Sequence, residues 1–299
     1  MAHRKYLITA ATGKTGVHTI NALLKDGHAV RAMVHTQDER SESLRKAGAE
    51  IVIGDLLEHD DVLRAVDGVT AAYLCYPVRP GFIQATAYFA HAAQRAGLDV
   101  VVSMSQISAR VDSESHAARD HWIAERVLDW SGVPAVHLRP SLFSEWLTFP
   151  WVQQRLVEEG RITLPFGEGR HAPIGAEDQA RLISTILTNP SAHIGKTYAL
   201  YGPVEFSQKE LAAELSRVLG RDIVYSPSTL EQYRAYLGTF NLPEFLIQHF
   251  VAIAVDYQNG IFSGVDGVIG EITGQAPQTV EQFVNANMDA FVGSPETAC

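Results

Sequence analysis

The residues best suited to chemistry lie near the start of the chain. Thr9-Ala-Ala-Thr-Gly-Lys-Thr-Gly16 follows a short apolar run from Tyr6 and precedes Val17, Ile20, Leu23 and Leu24 at helical spacing. Strand, glycine turn and helix in that order bring backbone N–H groups at a helix N-terminus against a pyrophosphate, with residues small enough for the backbone to approach it. Thr9, Ala11, Thr12, Gly13, Lys14, Thr15 and Gly16 are therefore the expected cofactor ligands. The competing reading is an ordinary glycine-containing loop; the preceding strand, the following helix and the alternating series beyond them count against it.

A second candidate is His121 with Glu125, four residues apart and so on one face of a predicted helix. Glu125 would orient the imidazole, and His121 would pass a proton near neutral pH. The plainer reading is an exposed pair that supports its helix by roughly a few tenths of a kcal/mol. Tyr76 follows the fourth predicted strand, and Ser103, Ser105 and Gln106 follow the fifth, so they border the same crevice. Tyr76 or Ser105 is an alternative donor, although loop-forming and helix-capping roles serve each of them as well. The aromatic side chains of Phe82, Phe143, Trp146, Phe149, Trp151 and Tyr201 offer either a pocket for a flat conjugated substrate or plain core, with Phe143 and Trp146 the expected substrate contacts.

The second strand selects the dinucleotide. An Asp or Glu at its end would accept from the ribose 2′-hydroxyl of NAD and repel a 2′-phosphate. Here it ends Met33-Val34-His35-Thr36, while Lys14, with Arg31 or Arg40, supplies positive charge. That favours NADP(H) with NAD(H) as the alternative, and adds His35 and Arg40 to the expected ligands. Solvated surface cations are the ordinary alternative. In Gly54-Asp-Leu56, Asp55 and Leu56 would meet the adenine, or Asp55 would cap the next helix.

The elements that must position these residues alternate. Strands are predicted at 6–10, 29–34, 50–53, 71–74, 100–104 and 135–138, with helices at 41–47, 60–66, 81–96 and 115–130 between them. That rhythm is α/β, a doubly wound parallel sheet of Rossmann type over residues 1–140, with its crevice at the carboxyl edge. Residues 141–299 read as a smaller, mainly helical C-terminal substrate lobe, of which a stretch such as 170–205 returns to the sheet. Ser207-Gln-Lys-Glu210 is a capping box opening a helix to Leu219, Phe245–Val255 reads as a buried helix, and another helix is expected over Thr279–Phe291.

Composition narrows the classes. Of 299 residues, 46% are hydrophobic and 19% charged, as in ordinary globular chains. A net charge of −10 without a basic stripe argues against a nucleic-acid partner. Two cysteines, Cys75 and Cys299, are too few for a disulfide framework or a metal centre, and no metal is expected. Met1-Ala-His-Arg-Lys5 runs into the first strand without an export signal and no apolar run spans a bilayer, so a cytoplasmic protein without a membrane partner, monomer or homodimer, is expected.

The turn Thr9–Gly16, together with Gly54-Asp-Leu56, Ser131-Gly-Val-Pro134, Leu138-Arg-Pro140, Leu164-Pro-Phe-Gly-Glu-Gly169 and Ala176-Glu-Asp-Gln-Ala180, resembles the NmrA-like, atypical short-chain dehydrogenase/reductase family over nearly the whole chain. The resemblance implies an NADPH-dependent reductase of quinones, triphenylmethane dyes or isoflavone-like compounds, or else a dinucleotide-sensing regulator without catalysis. It aligns His121 with a catalytic Lys of the isoflavone-reductase type and a His of the triphenylmethane-reductase type, and Glu125 with a family Glu. The sequence departs from the family at Ala10, where the turn normally has its first glycine, and at His35, where many members carry Arg. No Tyr is followed four residues later by Lys, so the proton-donating pair of typical short-chain dehydrogenases is absent. The expected activity is hydride transfer from NADPH to a small conjugated or aromatic acceptor, a carbonyl, quinone, enone or imine.

Overall fold

The computed structural model describes residues 4–292; Met1 to His3 and Cys299, on which the readings of a leaderless start and of cysteine usage partly rest, lie outside the described residues. Strand and helix alternate through β1 (Lys5–Ile8), α1 (Lys14–Lys25), β2 (Ala29–Val34), α2 (Glu39–Lys46), β3 (Glu50–Ile53), α3 (His59–Val66), β4 (Ala71–Leu74), α4 (Phe82–Ala96), β5 (Val101–Met104), α5 (His116–Ser131) and β6 (Ala135–Pro140). All of these strands pair in parallel. β4 and β5 are buried at every position, because helices cover both faces of the sheet at these central strands.

Next come a 3-10 turn (Ser144–Thr148), α6 (Pro150–Glu159), β7 (Arg161–Ile162), β8 (Arg170–His171), α7 (Ala176–Thr188) and β9 (Thr197–Leu200). The chain continues through β10 (Phe206–Ser207), α8 (Gln208–Leu219), β11 (Val224–Tyr225), α9 (Leu230–Gly238), α10 (Glu244–Gln258), α11 (Val268–Thr273) and α12 (Val280–Ala286). The main sheet has the order β3-β2-β1-β4-β5-β6-β9, so the winding reverses between β1 and β4. β9 extends β6 beyond the predicted Leu138, pairing Arg139 with Ala199 and Pro140 with Leu200, a partnership that no local window of sequence contains.

Cores on both faces of the sheet, one of them built from Leu7, Val62, Ala72, Phe89 and Leu128, are joined by a further core beyond β6. Leu182, Ile183 and Ile186 of α7 and Leu200 of β9 pack with Ile8, Ile20 and Leu23 on the other face of the sheet. Trp146, Trp151, Phe166, Leu215, Phe250, Tyr257 and Phe283 build the core beyond β6. The capping box at Ser207 and Glu210 is present. The helix expected to reach Phe291 instead stops at Ala286: Asn287 leaves helical geometry, and its side chain donates to the Phe283 carbonyl at 2.8 Å, a local bond that competes with helix propagation. Among the described residues no helix is long and apolar enough to cross a membrane.

Candidate active site

A cavity of about 480 Å³ opens at the carboxyl edge of the sheet, across the point where the winding reverses. Its floor is the turn from Thr9 to Thr15; one end is walled by Met33, Val34, His35, Arg40, Gly54, Asp55 and Leu56, the other by Cys75, Tyr76, Pro77, Arg79, Met104, Phe143, Glu145 and Phe149. The first amide to donate into α1 is that of Val17, to the Gly13 carbonyl at 3.0 Å. The amides of Lys14, Thr15 and Gly16 thus have no acceptor among the described residues, and Gly13 offers no side-chain cap. A helix end with free donors and its positive dipole faces the cavity.

The turn is shaped for close backbone approach. A Cβ on Gly16 would stand 2.4 Å from the Ala10 carbonyl oxygen, a separation no side chain tolerates. Ala10 adopts φ 46°, the left-handed region that costs a non-glycine residue about 1–2 kcal/mol. The geometry demands glycine there, and the sequence supplies alanine. Thr9 anchors the turn from beneath: its hydroxyl donates to the Tyr73 and Cys75 carbonyls and accepts from the Cys75 amide at 2.8 Å. Thr15 meets the Tyr73 hydroxyl at 2.8 Å. Free amides, a glycine that admits no Cβ and a cavity running to both sides fit a dinucleotide pyrophosphate.

At the β2 end, His35 lies 3.7 Å from Asp55, and Arg40 is paired with Asp38 at 2.6 Å. The Asp38 carboxyl is held below its ordinary value by the Ser41 amide and Arg40. Arg31, the other cation considered for a 2′-phosphate, is engaged elsewhere. It binds Glu50 and the Ala65 and Asp67 carbonyls on the far side of β2. Asp55 lines the cavity but does not cap α3, whose cap is Glu58; its carboxylate instead accepts from the Leu57 amide.

At the opposite end the sequence-predicted residues separate. Tyr76 and Phe143 line the cavity; His121, Glu125, Ser103, Ser105, Gln106 and Trp146 do not. Phe82 stacks on Tyr76 at 5.5 Å, and His121 packs behind Phe82 at 4.6 Å. Burial, with the nearby His249, pushes the His121 imidazole down to about 3, so it is neutral at ordinary pH, and its Nδ1 has no partner. Glu125 does not orient it. Arg139 of β6 reaches across to clamp that carboxylate at 2.8 and 2.5 Å, and Ser105 donates to it at 2.6 Å. Ser103 is buried within β5, and Trp146 stacks on Phe166 at 5.1 Å in the core beyond β6. His171 is buried in β8 against the Tyr257 hydroxyl at 2.7 Å.

Sequence reasoning passed over Glu145. It sits in the 3-10 turn after β6, where its Oε1 accepts from the Ala176 amide at the start of α7 at 2.9 Å, while Oε2 is buried without a partner. Burial raises its carboxyl above the ordinary range, against the pull of the Ala176 amide and of Lys14 and His18. A lone acid inside the run Phe143 to Trp151 was the available signal.

The sequence profile of the NmrA-like family matches residues 3–284. An NAD(P)H azoreductase of Xenophilus azovorans is 28% identical over 287 residues, which is 95% of this chain and 98% of that protein. The structure of an Escherichia coli NADPH-dependent quinone oxidoreductase complexed with NADPH superposes with a TM-score of 0.84 at 23% identity, covering 95% of this chain and 99% of the other. That of the Citrobacter sp. triphenylmethane reductase complexed with NADP(H) does so with 0.82 at 24%, covering 94% and 99%.

Proposed function

The chain belongs to the NmrA-like family, and on that premise we propose that it is an NAD(P)H-dependent reductase that delivers hydride to a small conjugated or aromatic acceptor. The observation that carries this reading is the uncapped N-terminus of α1, whose free amides face a cavity extending to both sides of the turn. The turn from Thr9 to Gly16 would hold the pyrophosphate, with Lys14 neutralising part of its charge. His35 and Arg40 would meet a 2′-phosphate, which favours NADPH; because Arg40 is shared with Asp38, NADH remains an accepted alternative. Asp55 and Leu56 would border the adenine.

The nicotinamide supplies the hydride when bound. The chain's own residues Tyr76, Met104, Phe143 and Phe149 line one end of the cavity and would give a flat acceptor an apolar surface that limits water. The azoreductase relationship supports an N=N acceptor alongside quinones, enones and imines. Titration of NADPH and NADH by tryptophan quenching, followed by NADPH oxidation against azo dyes, quinones, enones and imines, tests the reading. Binding with turnover is expected. Tight binding without turnover would favour a non-catalytic NADP(H)-sensing protein, and no binding of either nucleotide would remove both.

A further inference from the structure

We propose that Glu145 is a catalytic residue of this site, the carboxylic acid that gives the proton to the acceptor as hydride reaches it. The inference rests on the reductase reading above and adds what that reading lacks, a source for the second hydrogen. The groups at the nicotinamide end that carry exchangeable protons are few. The Tyr76 hydroxyl donates to the Pro80 carbonyl and accepts from Arg79, each at 3.1 Å, so it is already committed. The Cys75 thiol, pushed up to about 11 by burial, lies against the Tyr73 hydroxyl. His121 is neutral and stands behind Phe82.

Glu145 differs from all of these. It lines the cavity beside Phe143 and Phe149, one oxygen fixed by the Ala176 amide and the other unpartnered in a buried setting. An unpartnered buried carboxylate oxygen is far more costly than a protonated carboxyl in the same place, so burial favours the acid form. The ionisable groups of α1 facing it are Lys14 and His18. On α7, Glu177 and Asp178 occupy the first turn, Asp178 being tied to Arg181 and the Gln278 amide. Phosphates bound at the turn would draw on Lys14 and so reduce its hold on a Glu145 carboxylate.

The step balances. The acceptor gains a hydride, two electrons and one hydrogen, from the reduced nicotinamide, which leaves oxidised. The O–H bond of the Glu145 carboxyl breaks, an O–H or N–H bond forms on the reduced acceptor, and the carboxylate regains a proton from water once product departs.

The test is E145Q, which keeps the volume and the oxygen that the Ala176 amide needs. NADPH affinity is measured first, by tryptophan quenching. Turnover is then compared on a quinone, which needs a proton, and on a triphenylmethane cation, which becomes neutral on accepting hydride alone. The loss on the quinone should exceed that on the cation by about 100-fold, the usual contribution of a general acid. The wild-type quinone kcat should be flat at low pH and fall as pH rises through the Glu145 ionisation, a limb missing from E145Q. Infrared difference spectra on NADPH binding should show a protonated-carboxyl C=O band in the wild type that the variant lacks. Equal losses on both acceptors, or a limb and band retained in E145Q, would overturn the proposal. Wild-type protein that binds NADPH yet reduces neither acceptor would overturn the reductase reading itself.

Discussion

The clamp on Glu125 makes an asymmetric prediction. Glu125 is 1% exposed and Arg139 is 24% exposed, and they share two hydrogen bonds at 2.8 and 2.5 Å. Arg139→Met strands a carboxylate that water cannot reach. Removing one partner of a buried pair costs about 3–5 kcal/mol, and the Ser105 hydroxyl together with Arg126 at 3.6 Å brings the expected loss to about 3 kcal/mol. Glu125→Gln strands the more exposed partner, which water can solvate, and retains an oxygen for Ser105; about 1–2 kcal/mol is expected. With an unfolding entropy of about 2.1 cal/mol/K per residue over 299 residues, these losses correspond to Tm shifts of roughly 5 °C and 2 °C in calorimetry. Because Glu125 lies outside the cavity, kcat of either folded variant at 25 °C should stay within about threefold of wild type, far short of the loss of a general acid. A Glu125→Gln protein with unchanged Tm and kcat reduced about 100-fold would refute the reasoning and return Glu125 to the chemistry. A larger Tm loss in Glu125→Gln than in Arg139→Met would refute the burial argument.

Other perturbations test the turn and the buried histidines. Gly16→Ala puts a Cβ 2.4 Å from the Ala10 carbonyl, so the turn must shift; a stability loss of about 1–3 kcal/mol with NADPH affinity reduced at least about tenfold is expected by quenching titration, and unaltered affinity would count against a pyrophosphate at these amides. Ala10→Gly relieves a left-handed alanine and gives back part of that gain as unfolded-chain entropy, for a net stabilisation of about 0.5–1 kcal/mol in urea unfolding; a destabilised variant would show that the turn does not hold this geometry. Burial lowers His121 and His171 to about 3 and His249 to about 4 from an ordinary 6.5. The unfolded chain therefore binds more protons between those values, and stability, complete above about 6.5, falls as pH drops through that window by up to about 1.4 kcal/mol per pH unit for each histidine. The urea midpoint should be markedly lower at pH 5 than at pH 7, and His171→Gln should flatten the slope by about one proton; equal midpoints would exclude neutral buried imidazoles.

What the sequence disclosed was what adjacent residues determine. The turn from Thr9 to Gly16 presents backbone amides, so strand, glycine and helix within about ten residues of each other carried the whole signal, and the central strands were legible because parallel burial makes each a dense apolar run. The pairing of His121 with Glu125 misled for a related reason. Spacing of four places two side chains on one helical face but says nothing of what the fold sets opposite that face. Here it is β6, whose Arg139 takes Glu125 for itself, while burial beside Phe82 and His249, which is remote only in sequence, leaves His121 neutral. Glu145 shows the converse. Its one local signal, a lone acid in an aromatic run, does not say that the group bears a proton, because its setting arises only when the N-terminus of α7, about thirty residues on, docks its Ala176 amide against the loop leaving β6. That docking depends on α7 lying along α1 and on β9 closing the sheet beside β6. If Glu145 is the acid, the same packing that completes the sheet also sets the acidity of the site. Mutations buried between α1 and α7, far from any ligand, should therefore shift the alkaline limb of kcat before they unfold the protein; Leu182→Ala is the direct case, and a limb that stays fixed while stability falls would separate the two.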